Sequence, residues 1–320
     1  MTQRKPLDAF AASAMVLMCM IWGSQQVALK LAAPDMSPLL QIALRSAMAA
    51  VFLGAVVLAV RAGATAVRLW RPGLAIGALF GLEFVFVGEG LRYTSAAHMA
   101  IFLYTAPIFA ALGLHLTCAE ERLSAAQWVG IGIAFGGVVL SFAKRDGMIG
   151  SDTAWIGDLL GLAAGAAWGA TTVVLRGSRL SNAPASVTLL WELAGAAVLA
   201  ALAALALGQT EVHLSAVLAA SLAYQTLVVA VASFLAWFML LRVYLASRLG
   251  ILSFMTPLFG VTFGVLVLGE RIDAPFVAGS ALILGGILFV SGADLIRARR
   301  NRTARATLGA GPPAPCRSST

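Results

Sequence analysis

Apolar residues run in blocks of about 20 along almost the whole chain, near 11–31, 38–60, 73–91, 96–117, 125–143, 155–176, 186–207, 216–241, 249–268 and 275–294. Short polar segments separate them. Within the blocks apolar residues are near-continuous and do not alternate, so period-two strands of a barrel are excluded. Only helices and closed barrels satisfy every backbone N–H and C=O without water, and the pattern therefore predicts ten membrane-spanning helices.

A second pattern lies on top of the first. Trp22-Gly23-x-x-x-Val27-x-Leu29-Lys30 returns as Trp168-Gly169-x-x-x-Val173-x-Leu175-Arg176. Glu121-Arg122-Leu123, Gly130 and Gly136-Gly137 return at the same spacing as Glu270-Arg271-Ile272, Gly279 and Gly285-Gly286. The chain is an internal duplication, with repeats at 11–143 and 155–294 joined by a loop at 144–154. Five spans per repeat is an odd number, so the second copy enters the membrane from the opposite side. The expected fold is an all-α polytopic membrane protein of two inverted five-helix repeats, an architecture of secondary transporters.

Composition agrees with lipid as the solvent: 60% of residues are hydrophobic, 11% are charged and mean hydropathy is +0.92. Charge adds orientation. If residues 1–10 are cytoplasmic, the inside segments carry Arg4, Lys5, Arg61, Arg68, Arg71, Arg122, Arg176, Arg179, Arg242 and Arg248, and the outside segments carry only Lys30, Arg92, Lys144, Arg145 and Arg271. This asymmetry predicts both termini in the cytoplasm. It also accounts for the net charge of +8 without nucleic acid, for which no soluble domain exists. Residues 295–320, with Arg297, Arg299, Arg300, Arg302 and Arg305 ahead of Gly- and Pro-rich sequence, are expected to form a disordered basic tail.

Glycine is spaced for helix contact. Gly157, Gly161, Gly165 and Gly169 recur every four residues in the sixth span, as do Gly73, Gly77 and Gly81 in the third, and Gly132-x-x-x-Gly136 and Gly260-x-x-x-Gly264 add shorter examples. Pro107 and Pro257 fall inside the fourth and ninth spans at matching places. Each should kink its helix or free a carbonyl, and matched breaks in inverted repeats point to a binding site between them.

The Trp-Gly in the first span, Lys30 closing it, Pro38 before Leu44-Arg45, Pro107, the Glu-Arg-Leu loop and the duplication together resemble the EamA family of the drug/metabolite transporter superfamily. The likeness covers about 11–293; Ala119-Glu120-Glu121-Arg122 departs from the usual Gly-Glu-Arg, which Gly269-Glu270-Arg271 keeps. The resemblance implies a ten-helix carrier of the bacterial inner membrane, often an exporter of amino acids, their derivatives or other small metabolites. It also implies a central cavity lined by the first, third and fourth helices and by their counterparts, the sixth, eighth and ninth.

Ionisable groups at depth need a partner, a wet cavity or a function. Glu83 lies about 200° around the third helix from Gly81, opposite the glycine ridge, so it faces lipid or cavity. It is the candidate for substrate binding or proton coupling. The competing reading is a buried ion pair with Arg45, which the second helix carries at similar depth; Glu192 occupies roughly the repeat position of Arg45, and both read as members of structural pairs. Glu89 is expected to pair with Arg92, three residues on. Gln25 and Gln26, with Thr171 and Thr172 at the matching positions of the sixth helix, are expected to line the cavity or to bond between helices. Trp22, Tyr104, Trp168 and Trp237 are candidate aromatic walls. His98, His115 and His213 are scattered, and with Cys19, Cys118 and Cys316 they form no metal-ligand or disulfide spacing.

The function these features predict is a secondary carrier for a small molecule, with the proton as candidate coupling ion. Gly130-x-Gly132-x-x-x-Gly136 lacks the Lys-Ser/Thr ending of a phosphate loop, and no cofactor motif is found. The alternatives are an intramembrane protease or lipid-modifying transferase, for which Ser141, Ser233 and Ser253 have no evident base, and a non-transporting membrane sensor. A homodimer is left open.

Overall fold

A computed structural model describes residues 8–118, 122–141, 151–244, 249 and 252–308, the backbone alone for 151–152, 238, 241–242, 291 and 293–308. Ten apolar helices follow one another. Seven are long enough to span a bilayer: Ala9–Leu31, Pro38–Ala59, Trp70–Gly90, Ala96–Thr117, Thr153–Gly177, Ala185–Ala206 and Ala216–Trp237; the fifth, ninth and tenth, at Ala125–Ser141, Ser253–Leu268 and Ala274–Val290, are shorter. Their starts are written locally. Ser37 accepts the Leu40 N–H ahead of Pro38, Ser95 accepts the His98 N–H and Ser215 the Leu218 N–H. The ninth ends on Gly269 in the left-handed region (φ 64°), which turns the chain so that Glu270 points back at the bundle.

The backbone of the tenth helix runs on to Leu308, and the rest of the basic tail, 309–320, lies outside the described residues. Cys118 is disulfide-bonded, a link that the spacing of the three cysteines does not announce.

The halves are interleaved, and glycine decides where. On the fifth and tenth helices Gly130 abuts the backbone of Gly286 and Gly137 that of Gly279, so each glycine meets the counterpart of the other. Gly132 and Gly136, expected to pack, face open space. Gly132 is two residues, about 200°, from Gly130 and so lies on the far side of the same helix. The third-helix ridge behaves as expected: Gly73 lies against the Trp191 ring, Gly77 against the Trp191 carbonyl and Gly195, and Gly81 against Gly195 and Leu199 of the seventh helix. The sixth-helix ridge seats the fourth helix along its length. Gly157 meets Thr94, Gly161 meets Phe102, Gly165 meets Thr105, and Gly169 meets Ala106, Phe109 and Ala110.

The Trp-Gly motif holds one half to the other. A Cβ on Gly23 would stand 2.8 Å from the Thr256 oxygen and from the Gly260 nitrogen of the ninth helix. Gly169 meets Ala106, Phe109 and Ala110 of the fourth helix, the equivalents of Thr256, Phe259 and Gly260 at an offset of 150. Gly169→Val is therefore expected to lower thermal stability by about 1–3 kcal/mol through overpacking. A melting curve in detergent unchanged from the parent would contradict it.

Candidate functional site

The site region is built around two broken helices. The fourth consists of Ala96–Leu103 and Ala106–Thr117, with Pro107 in the first turn of the second piece; the ninth consists of a tight turn at Ser253–Met255 and a helix at Thr256–Leu268 with Pro257 likewise placed. At the first break the Phe102 carbonyl accepts both the Thr105 hydroxyl at 2.6 Å and the Thr105 N–H at 3.1 Å, which closes the first piece in a tight turn. Tyr104, between the pieces, meets the Trp168 ring edge-on at 5.3 Å.

Beside this break is a cavity of about 340 Å³, walled by Ala106, Pro107, Ala110, Ala111, Leu114, Leu123 and Val290 on its apolar side and by Gln127, Trp168, Thr172 and Arg176 on its polar side. It lies toward the membrane face where the fourth and sixth helices end and the fifth begins. Trp168, Thr172 and Pro107 are thus brought together. Thr172 and Thr171 donate to the carbonyls of Trp168 and Ala167, four residues back, and not across helices.

The first-half counterparts are used differently. The Trp22 Nε1 donates to Ser233 Oγ at 2.9 Å and its ring stands edge-on to Trp237 at 5.7 Å, in a cluster with Met15, Cys19 and Leu240. Gln26 is 4% exposed and its Oε1 has no partner among the described residues, whereas Gln25 is half-buried. The eighth helix passes through a π-helical stretch at Tyr224–Ala232, while its counterpart, the third, is regular. Tyr224 from that stretch shares a hydrogen bond with Ser24, where the first helix breaks.

Glu83 is 4% exposed, so the face opposite the glycine ridge points inward and not at lipid. The ion pairs expected of Arg45 and Glu192 do not form. The Arg45 guanidinium sits over the Phe84 ring, 4.8 Å from its centroid, and among the described residues neither Arg45 nor Glu192 makes an ion pair. Stacking on the adjacent aromatic holds the guanidinium away from the carboxylate. Glu83 is left with an attraction to Arg45 and a repulsion from Glu192 of the seventh helix, and among the described residues its Oε2 has no hydrogen bond. Burial of a charge in that condition is costly.

Two polar networks went unseen in the sequence. Gln225 of the π-helical stretch donates to Gln41 Oε1 at 3.0 Å and to Ser221 Oγ at 2.9 Å, and Ser221 donates to the Ala28 carbonyl. Glutamines buried in separate spans carry no spacing signal that links them. At the end opposite the cavity, Thr94 donates to Asp158, which also meets His98 Nδ1 at 3.1 Å; Lys30 donates to the Thr94 carbonyl at 2.7 Å and lies 3.9 Å from Glu270. Glu270 accepts the N–H groups of Ala96 and Ala97 at 2.7 and 3.0 Å. Its recurrence in the duplicated Glu-Arg motif was the available signal. Glu89 and Arg92 pair at 2.8 Å, as their spacing predicts.

Residues 9–143 and 155–292 each match the EamA-like transporter family. The chain belongs to that family. The two matches coincide with the two halves that the glycine contacts interleave, so the EamA unit is the five-helix repeat and this chain contains it twice. Similar proteins include a "Probable amino-acid metabolite efflux pump" of Salmonella typhimurium, 27% identical over 93% of this chain and 98% of its own length. One of the same name in Escherichia coli is 26% identical over 85% and 91%, and an uncharacterized transporter of Bacillus subtilis is 26% identical over 84% and 92%. A solved crystal structure shares the fold, with a TM-score of 0.60 and 22% identity over 91% of this chain and 97% of the other. The protein is thus a multi-pass membrane member of an EamA transporter lineage.

Proposed function

We propose that this EamA protein is a secondary carrier that exports amino acids, their derivatives or similar small metabolites across the bacterial inner membrane, with both termini cytoplasmic. Alternating access comes from one interleaved half moving against the other around the broken fourth and ninth helices. The observation that carries this reading is Glu83, a carboxylate shut inside the bundle without a hydrogen bond, beside Arg45 and Glu192. A substrate cation or a proton supplies what the protein does not. The names of the Salmonella and Escherichia relatives support the substrate class, and the basic residues of the loops support the orientation.

The cavity at Trp168, Thr172 and Arg176 is the entry vestibule in this reading, and its volume suits a small metabolite. Purified protein in proteoliposomes, screened with labelled amino acids and their N-acyl derivatives, should give counterflow for at least one of them. No flux for any of these would reject the reading. For the responding compound, Thr172→Val removes a hydroxyl at constant shape. A two- to tenfold rise in KM with an unchanged melting temperature is expected, roughly the worth of one hydrogen bond. An unchanged KM would remove Thr172 from the site.

A further inference from the structure

The two ends of the duplicated design are not in the same condition. At an offset of 146, Trp168, Thr172 and Arg176 correspond to Trp22, Gln26 and Lys30; at offsets of 150 and 149, Leu114 corresponds to Gly264 and Gln127 to Phe276. In the second-half positions of the sixth helix and first-half positions of the fourth and fifth, these residues enclose a cavity. At the other end the same positions are filled. Phe276 stacks flat on His98 at 3.7 Å and 8°, packed with Ala97, Ile101 and Phe102. Gly264 leaves room for the Glu270 carboxylate, which caps the exposed N–H groups at the start of the fourth helix, while Lys30 is drawn in beside it.

We propose that Glu270 is the latch of the outer gate: its grip on the start of the fourth helix holds the carrier shut at that face and open at the face of the cavity. The proposal rests on the orientation given above for the words outer and inner only. The physical basis is that a carboxylate on free N–H groups at a helix start is a strong, directional contact. It joins the ninth helix of one repeat to the fourth of the other, so the two repeats cannot separate at this face while it is made. Lys30 keeps the carboxylate charge-balanced, and the Phe276–His98 stack excludes water beneath it. Release of the latch is then the event that exposes Gln26, buried one turn below Lys30, to the outside. The inverted architecture requires the cavity to close as this happens, since the same rigid halves form both ends.

Side-specific thiol labelling tests this without a substrate. In a full-length chain with Cys19, Cys118 and Cys316 replaced, Thr172→Cys should react with a membrane-impermeant maleimide in inverted vesicles, and Gln26→Cys should react at least tenfold more slowly in right-side-out vesicles. Adding Glu270→Gln should raise the Gln26→Cys rate at least tenfold and slow Thr172→Cys. Equal rates at the two sites in the parent that keeps Glu270, or rates that Glu270→Gln leaves unchanged, overturn the proposal. If Glu270→Gln does not fold, Gly264→Ala, whose added Cβ would stand 2.5 Å from the Glu270 Oε2 and push the carboxylate off the cap, carries the same expectation and the same refutation. Labelling of Thr172→Cys from outside instead would overturn the orientation, and the latch would still be judged by the shift that Glu270→Gln produces. Failure of every transport assay would leave these rates readable.

Discussion

Glu83→Gln is expected to lower transport roughly 10- to 100-fold and to abolish its dependence on a proton gradient, while the protein stays folded with an equal or higher melting temperature. The combination follows from the site. A charge-assisted contact to a substrate cation or proton is worth about 1.5–3 kcal/mol, which sets the size of the loss. The carboxylate makes no hydrogen bond through Oε2 and no ion pair among the described residues, so replacing it by a neutral amide removes a buried charge without breaking a contact. A structural Glu83 would behave in the opposite way, with melting temperature falling and turnover per folded molecule retained. Counterflow and gradient-driven uptake, measured with Glu83→Gln and Glu83→Asp beside the parent, separate the two. Full, pH-independent activity in Glu83→Gln would remove the coupling claim and leave the carrier.

Gly195→Val is expected to be the most damaging substitution in the bundle. The backbones of Gly77 and Gly195 touch where the third and seventh helices cross, and any Cβ on Gly195 would occupy the Gly77 backbone. No side-chain rearrangement relieves a clash with main chain. The helices must separate, which undoes the contact of the whole glycine ridge and the packing of Phe84, Ala196 and Ala200 beside it. Helix association in lipid has no hydrophobic effect to compensate, so close approach is most of what holds the pair. A loss of about 3 kcal/mol or more and a collapse in the yield of monodisperse protein are expected. Gly136→Ala is the control. It faces open space and gains helix propensity, and its melting temperature should match or exceed the parent. If Gly195→Val melts like Gly136→Ala, the crossing is not as described.

That contrast shows how far glycine spacing can be read. Gly132 and Gly136 have the same four-residue interval as Gly73 and Gly77, yet only the latter pack. The interval says that a flat face exists and not that a partner helix lies on it. Charges behaved similarly. Arg45 and Glu83 sit at matching depths, which suggested a pair, but depth says nothing about rotation of a guanidinium, and the neighbouring Phe84 captures it. Trp22 and Trp168 are equivalent in the repeat, yet one bonds to Ser233 in a packed cluster and the other walls the cavity. A sequence repeat is symmetric by construction; the packing around its two copies is not.

The ten helices, the duplication and the family were legible in the sequence because each depends on local or periodic properties: span length in lipid, helix caps, turn glycine and motifs repeated at constant offset. The inward direction of Glu83 was half-legible, since helical geometry places it opposite the ridge once the ridge is known to pack. The Glu270 cap, the His98–Asp158–Thr94 contact and the Gln41–Gln225 bond came only from the tertiary structure. They join residues from 60 to 184 positions apart, through rotations and breaks of helices that no periodicity encodes. Which end of the duplicated design holds the cavity was likewise decided by the three-dimensional packing, because two copies of one motif cannot differ until their surroundings do.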